Sequence, residues 1–163
     1  MDIQSLHNDD CVDEVIEKYS HMVYRLAFSH MKTKQDAEYV FQDVFLKYIS
    51  KPRNFENEEH RKAWLIRVTM NRCKSLWSSS WFKKTEQLDE KIVFAAKDEI
   101  ELYEYLKLLP KKYISVLHLF YYEDLPVKQI SEIMSAKEST VRTWLTRARA
   151  MLKENMKGDF FDE

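Results

Sequence analysis

Val12, Ile16, Tyr19, Val23 and Leu26 follow the 3.6-residue period of an amphipathic helix. Asn8, Asp9 and Asp10 stand before them as N-cap candidates. Thr33-Lys34-Gln35-Asp36 reads as a capping box that restarts a helix, with Ala37, Val40, Phe41, Val44 and Tyr48 turned inward. Lys51-Pro52 stops that helix, because the residue before a proline is pushed out of the helical region. Residues 51–58 form a polar loop with one aromatic, Phe55, and so little core that its side chains should matter little for stability. A third helix is predicted after Asn57, running through Ala63, Trp64, Val68 and Asn71 to about Trp77.

From residue 78 the pattern changes. Three serines, a mixed polar stretch and a short apolar patch, Ile92-Val93-Phe94, read as a linker over 79–97. Asp98 can cap a helix carrying Ile100, Tyr103 and Leu106. Pro110 suits the first turn of the next helix, where its missing N–H costs nothing. That helix should bury Ile114, Leu117 and either Phe120 or Tyr121. Pro126 opens a short helix, a turn of about four residues follows, and a last helix is predicted from about Ser139 to Met156. The expected fold class is all-α: two small helical domains, 5–78 and 98–157, joined by a flexible linker.

Composition narrows the alternatives. Hydrophobic residues make up 45% of the 163 and aromatics 13%, enough to bury a core. A single glycine argues against an all-β fold, whose tight turns need it, and excludes glycine-rich phosphate loops. Two cysteines cannot make a disulfide framework, and residues 1–20 are too acidic for a signal peptide. With no apolar run near ~18 residues, the expected compartment is the cytoplasm, without membrane insertion. The five histidines show no ligand spacing, and HExxH, CxxC and GxSxG are absent. No metal, cofactor, small-molecule substrate or enzymatic activity is expected. His118, in an apolar run, reads as a core or interface residue.

The net charge of −1 conceals segregation. Residues 1–60 carry −5 and residues 61–97 carry +6, with seven cations and no acid from Arg61 to Lys84. Ser139 to Lys157 holds five cations against one acid. Each half would thus offer one face to a polyanion, although solvated helix faces can have the same pattern. Between Arg61 and Lys84, cations alternate with Trp64, Trp77, Trp81 and Phe82; cations track phosphates and aromatics stack on unpaired bases, though a tryptophan here can equally be core.

The last two predicted helices have the lengths of a helix-turn-helix. Val141, Leu145 and Ala148 fall on the buried stripe of the second. Ser139, Thr140, Arg142, Thr143, Thr146, Arg147 and Arg149 are left for other faces, as a recognition helix requires.

At these residues the chain resembles a known family. Leu109-Pro110, Leu117, Tyr121, Asp124-Leu125, Gln129-Ile130-Ser131, Ser139-Thr140-Val141-Arg142 and Arg147-Ala148-Arg149 with Leu152 look like region 4 of bacterial RNA polymerase sigma factors. Asp36-Ala37-Glu38 with Gln42-Asp43-Val44-Phe45, and Ala63-Trp64-Leu65 with Arg67 and Asn71, are similar to region 2. Regions 2 and 4 alone are the layout of the extracytoplasmic-function (ECF) type. The chain departs from the family pattern at Ser75, Gln129, Ser131, Ser139 and Trp144, which bears on the promoter sequence.

The resemblance implies three binding sets. Asp36, Glu38, Gln42, Asp43 and Phe45 would bind core RNA polymerase. Asn54, Phe55, Asn57, Arg61, Trp64, Arg67 and Asn71 would serve the minus-10 element, whose base extrusion costs a few kcal/mol. Ser139, Thr140, Arg142, Thr143, Arg147 and Arg149 would serve the minus-35 element, with Arg149 a phosphate contact. It also implies promoter DNA and an anti-sigma factor as partners. Two other readings compete: a stand-alone helix-turn-helix regulator, which would need a symmetric operator, and a decoy that occupies polymerase without reading DNA, against which the basic recognition helix argues.

Overall fold

The computed structural model describes the backbone of residues 3–31, 33–51, 53–78 and 104–160, and within these the side chains between Val12 and Lys157. The predicted linker 79–97, Trp81, Phe82, Asp98, Ile100 and Tyr103 lie outside the described residues. The chain divides into two compact units, Met1–Glu90 and Lys91–Glu163. The described residues of both are helical, with no strand among them. No described helix is long and apolar enough to cross a membrane.

The first unit is a three-helix bundle of α1 (Ile3–His30), α2 (Lys34–Ser50) and α3 (Glu58–Trp77). The expected start of α1 is corrected: the helix continues back through Asn8–Asp10 to Ile3. Once nucleated, a helix gains one hydrogen bond per residue fixed, so acceptable caps inside it need not end it. Tyr19, Val23 and Leu26 are buried as the period predicts, joined by Val15, Met22 and Ala27. The Thr33 cap forms, with its hydroxyl accepting from Asp36 N–H at 3.1 Å. Asn57 Oδ1 accepts from His60 N–H at 2.8 Å and starts α3 where predicted. The buried stripe of α3 differs from the expected one: Leu65, Ile66, Thr69, Cys73 and Leu76 are buried, while Ala63, Trp64 and Val68 are half-buried and Asn71 is exposed. Apolar side chains lie on several sides of this helix, so packing chose the stripe. Thr69 can join it because its hydroxyl donates to Leu65 C=O at 2.7 Å.

Two polar ties fix α3 against α1 in the same chain direction. At one end the Tyr19 hydroxyl donates to Glu58 Oε2 at 2.7 Å. At the other, Trp77 Nε1 donates to His30 C=O at 2.8 Å, satisfying a carbonyl of the last turn of α1. The His30 and Trp77 rings stack 5.6 Å apart.

The second unit places α4 (Lys111–Leu117), α5 (Val127–Met134) and α6 (Glu138–Phe160) around Ile114, Leu119, Ile130, Val141, Leu145 and Ala148. Pro110 and Pro126 precede α4 and α5 as expected. The expectation that Phe120 or Tyr121 would be buried is corrected. His118–Tyr122 form one π turn, and Glu123 N–H bonds to His118 C=O at 3.2 Å. The wider turn shifts the helical phase by a residue. His118 and Leu119 therefore go inside and Tyr121 goes out. The last helix ends at Phe160 rather than Met156.

Glu58 links the fold to pH. The Tyr19 hydrogen bond is the largest influence on its carboxyl; with the Arg61 and Lys18 charges it outweighs partial burial and holds the pKa below the ordinary 4.5. Burial, and then the bond to Glu58, push Tyr19 above its ordinary 10.0. A carboxyl more acidic folded than unfolded adds stability above pH 4.5, lost as pH falls through its folded value. Glu58 is half-exposed, so the effect is screened. Glu58→Gln should flatten the acid limb of thermal melts between about pH 5 and 3. An acid limb identical to wild type would show that the tie does not form in solution.

Candidate nucleic-acid and polymerase interfaces

The core takes one side of α2 and leaves the other free. Of the residues expected to bind polymerase, Asp36 and Phe45 are only 3% and 5% exposed and have no surface to offer. Val40, Val44 and Phe45 share the core side, and Asp36 sits beside the Thr33 cap in the first turn, where the helix dipole favours an acid. Glu38 and Gln42 are exposed. Asp43 is half-buried, and its Oδ2 lies 2.6 Å from Arg72 Nε on α3. Arg72 also donates to the Tyr39 hydroxyl at 3.0 Å.

Around Gln42 lie residues the motif reading missed: Tyr39 at 47%, Leu46 at 64% and Ile49 at 52% exposure. Spaced by seven and three residues, they form an apolar stripe opposite the core. The available signal was that α2 is apolar on more sides than one core can cover.

The second site is the loop 53–57 with the outer face of α3. Phe55 is half-buried, stacked parallel on Tyr48 with centroids 6.3 Å apart and edge-on to Trp64 at 6.0 Å. Cations cover both rings. Arg53 Cζ lies 4.4 Å from the Trp64 centroid and Arg61 Cζ 5.3 Å from that of Phe55. The Arg61 guanidinium pairs with Glu58, while its Nε is buried without a hydrogen-bond partner. Asn54, Arg67 and Asn71 are exposed. Trp64, Arg67 and Asn71 lie opposite the buried stripe, so the structure brings them onto one face. Arg53, Tyr48 and His60 join this cluster without having been foreseen. Trp77, which could have been a base-stacking residue, is committed to His30. Asn57 holds the N-cap of α3, so the expectation that the loop matters little for stability is corrected.

The third site is the start of α6. Ser135 closes α5 in the left-handed region at φ 53°, with Ala136 N–H bonded to Ser131 C=O at 3.0 Å. This bend sets the angle at which α6 begins. Ser139, Arg142, Thr143 and Arg147 are exposed and Thr140 half-exposed, while Val141, Leu145 and Ala148 lock the opposite side. The Thr143 hydroxyl donates to Ser139 C=O at 3.0 Å. Arg149 is exposed and in contact with Tyr121. Its Nε donates to the Tyr121 hydroxyl at 2.5 Å, and its guanidinium lies over Phe120 and Tyr121. Among the described residues no group of three or more His, Cys, Asp or Glu could hold a metal ion.

The two units match family models separately. The model of sigma-70 region 2 matches residues 15–83 and that of sigma-70 region 4 matches residues 99–152. The chain is 29% identical over 140 residues to RNA polymerase sigma factor SigV of Bacillus subtilis, covering 80% of this chain and 81% of that protein. It is 28% identical over 152 residues to ECF RNA polymerase sigma factor SigM of the same organism, covering 87% and 93%. The fold is similar to that of the sigma factor RpoE of Bartonella quintana, solved with the anti-sigma factor NepR, at TM-score 0.72 and 19% identity, covering 90% of this chain and 97% of that one. CnrH, solved with the cytosolic domain of CnrY, has TM-score 0.72 at 18% identity, covering 93% and 90%.

The cap and the loop surface can be separated. Asn57→Ala should lower the stability of the full chain by about 1 kcal/mol. Asn54→Ala, on the exposed side, should change it by less than about 0.5 kcal/mol. Equal shifts of the urea midpoint would remove the distinction between cap and surface.

Proposed function

Because the chain belongs to the sigma-70 family, as an RNA polymerase sigma factor of the ECF type, we propose that its three exposed faces divide the family's work among themselves. The protein directs core RNA polymerase to specific promoters and assists initiation and DNA melting. The stripe Tyr39, Gln42, Leu46 and Ile49, with Glu38 and the Arg72-held Asp43 beside it, docks core polymerase. Its apolar centre and polar margin suit a protein partner rather than a nucleic acid. The loop 53–57 with Arg61, Trp64, Arg67 and Asn71 takes the minus-10 element. There the cation-covered rings supply stacking surfaces and Asn54 a free amide for an unpaired base. The first turns of α6 enter the major groove of the minus-35 element. An anti-sigma factor, such as the NepR and CnrY chains bound to the two structural relatives, would act by covering these faces. The work at the polymerase places this chain in the cytoplasm, and all of it is binding, with no catalytic step of the chain's own.

The observation that carries this reading is the junction of the two family matches with three separate exposed faces, each backed by a buried stripe. The test is transcription of a genomic template library by core polymerase with and without the chain. Discrete new start sites support the reading. Polymerase-independent binding to a symmetric operator favours a stand-alone regulator.

The docking stripe is testable without disturbing the core, since Leu46 and Ile49 are exposed. Leu46→Ala with Ile49→Ala should weaken the affinity for core polymerase by tenfold or more, about 1.4 kcal/mol, with an unchanged melting temperature. Retained affinity in pull-down titrations would move the docking face elsewhere.

On α6, Arg142→Ala should cost on the order of 1–3 kcal/mol at the minus-35 element and relax preference at one base pair. Arg147→Ala should weaken all sequences alike and lower the salt slope by about one. Equal losses on cognate and scrambled DNA for both mutants would mean that α6 grips the backbone without reading it.

A further inference from the structure

Among the described residues of the first unit, one densely tied polar group is on neither the docking stripe nor the outer face of α3. Glu58, the first residue of α3, has its two carboxylate oxygens divided between two helices. Oε2 accepts from the Tyr19 hydroxyl of α1 at 2.7 Å, with Lys18 Nζ 3.5 Å away. Oε1 pairs with Arg61 one turn along α3. Arg61 in turn lies over Phe55, and Phe55 stacks on Tyr48 and meets Trp64. An unbroken contact path therefore runs from the buried Tyr19 to the aromatic centre of the loop. A guanidinium on a flexible stem loses much rotamer freedom when it is held in one place, and Glu58 supplies the hold before any ligand arrives. A site prepared in this way avoids an ordering cost on binding.

We propose that Tyr19 is a positioning residue for the minus-10 loop, acting through Glu58 and Arg61 on Phe55. It touches no DNA. It anchors the carboxylate that orients the cation covering Phe55, and so keeps the loop's stacking surface in the shape that receives an unpaired base. The Tyr19 ring is buried against the bundle, so its packing and its hydroxyl can be separated by substitution. The inference rests on the reading of loop 53–57 as the minus-10 site.

The experiment uses the full chain with core polymerase and a promoter fragment recovered from the genomic library. Open complexes are followed by permanganate reactivity on that fragment and on a copy already mismatched over the minus-10 element. The variants are Tyr19→Phe, Phe55→Ala and the two combined, with Glu58→Gln as a second way to break the path if Tyr19→Phe folds poorly. Tyr19→Phe should slow opening of the paired template about three- to tenfold, a fraction of the ~100-fold that a 1 Å misplacement can cost at a reacting centre. Affinity for core polymerase should not change. On the mismatched template, base capture still depends on the loop, so a smaller defect should persist. The double variant should be no worse than Phe55→Ala alone, because the two residues act on one path. Additive losses would reduce Tyr19 to ordinary structural support and overturn the proposal, as would wild-type opening by Tyr19→Phe beside a defective Phe55→Ala. If Phe55→Ala itself opens the paired template normally, the reading of the loop fails instead.

Discussion

An amphipathic helix has one face for the core, and whatever the protein does must be done with the rest of its surface. All three working helices obey this constraint. On α2, Val40 and Val44 face in while Leu46 and Ile49 face out. On α3, the stripe from Leu65 to Leu76 is opposed by Trp64, Arg67 and Asn71. On α6, Val141, Leu145 and Ala148 hold the helix so that Arg142 and Thr143 project. Each fully buried aliphatic side chain contributes roughly 1.5–3 kcal/mol. The exposed residues opposite contribute little to the fold.

The faces are oriented by polar ties at helix ends rather than by the core alone. Thr33 and Asn57 cap α2 and α3, Trp77 satisfies a carbonyl at the end of α1, and Tyr19 holds the first residue of α3. Such bonds add modestly to stability, about 1 kcal/mol each, but leaving their buried partners unpaired costs more. Their larger effect is geometric. They determine where α3 begins, and the loop before it inherits that position.

In the second unit the same task falls to backbone conformation. The chain has one glycine, so the left-handed positions after the π turn and after α5 are taken by Asp124 and Ser135. Short polar side chains tolerate this region better than bulky ones, at some cost in strain. The π turn buries His118 against Tyr122, with Nε2 3.6 Å from a Glu123 carboxylate oxygen. It also turns Tyr121 outward to meet Arg149. The contact ties the exposed Arg149 of α6 to the π turn.

The sequence by itself determined the all-helical class, the caps at Thr33 and Asn57, the prolines before α4 and α5, and the buried stripe of α6. These are local: they follow from period, cap chemistry and proline geometry within a few residues. The motifs also sufficed to indicate the family. Tertiary structure decided which apolar positions stay outside, because α2 and α3 each carry more apolar residues than one interface can bury. It placed Asp36 and Phe45 inside and left Tyr39, Leu46 and Ile49 outside, although all five lie on one helix. It also assigned partners to charged and polar groups distant in sequence: Tyr19 to Glu58, Asp43 to Arg72, Tyr121 to Arg149. Pairings across 28 to 39 residues leave no periodic trace in a sequence, since they depend on how helices cross.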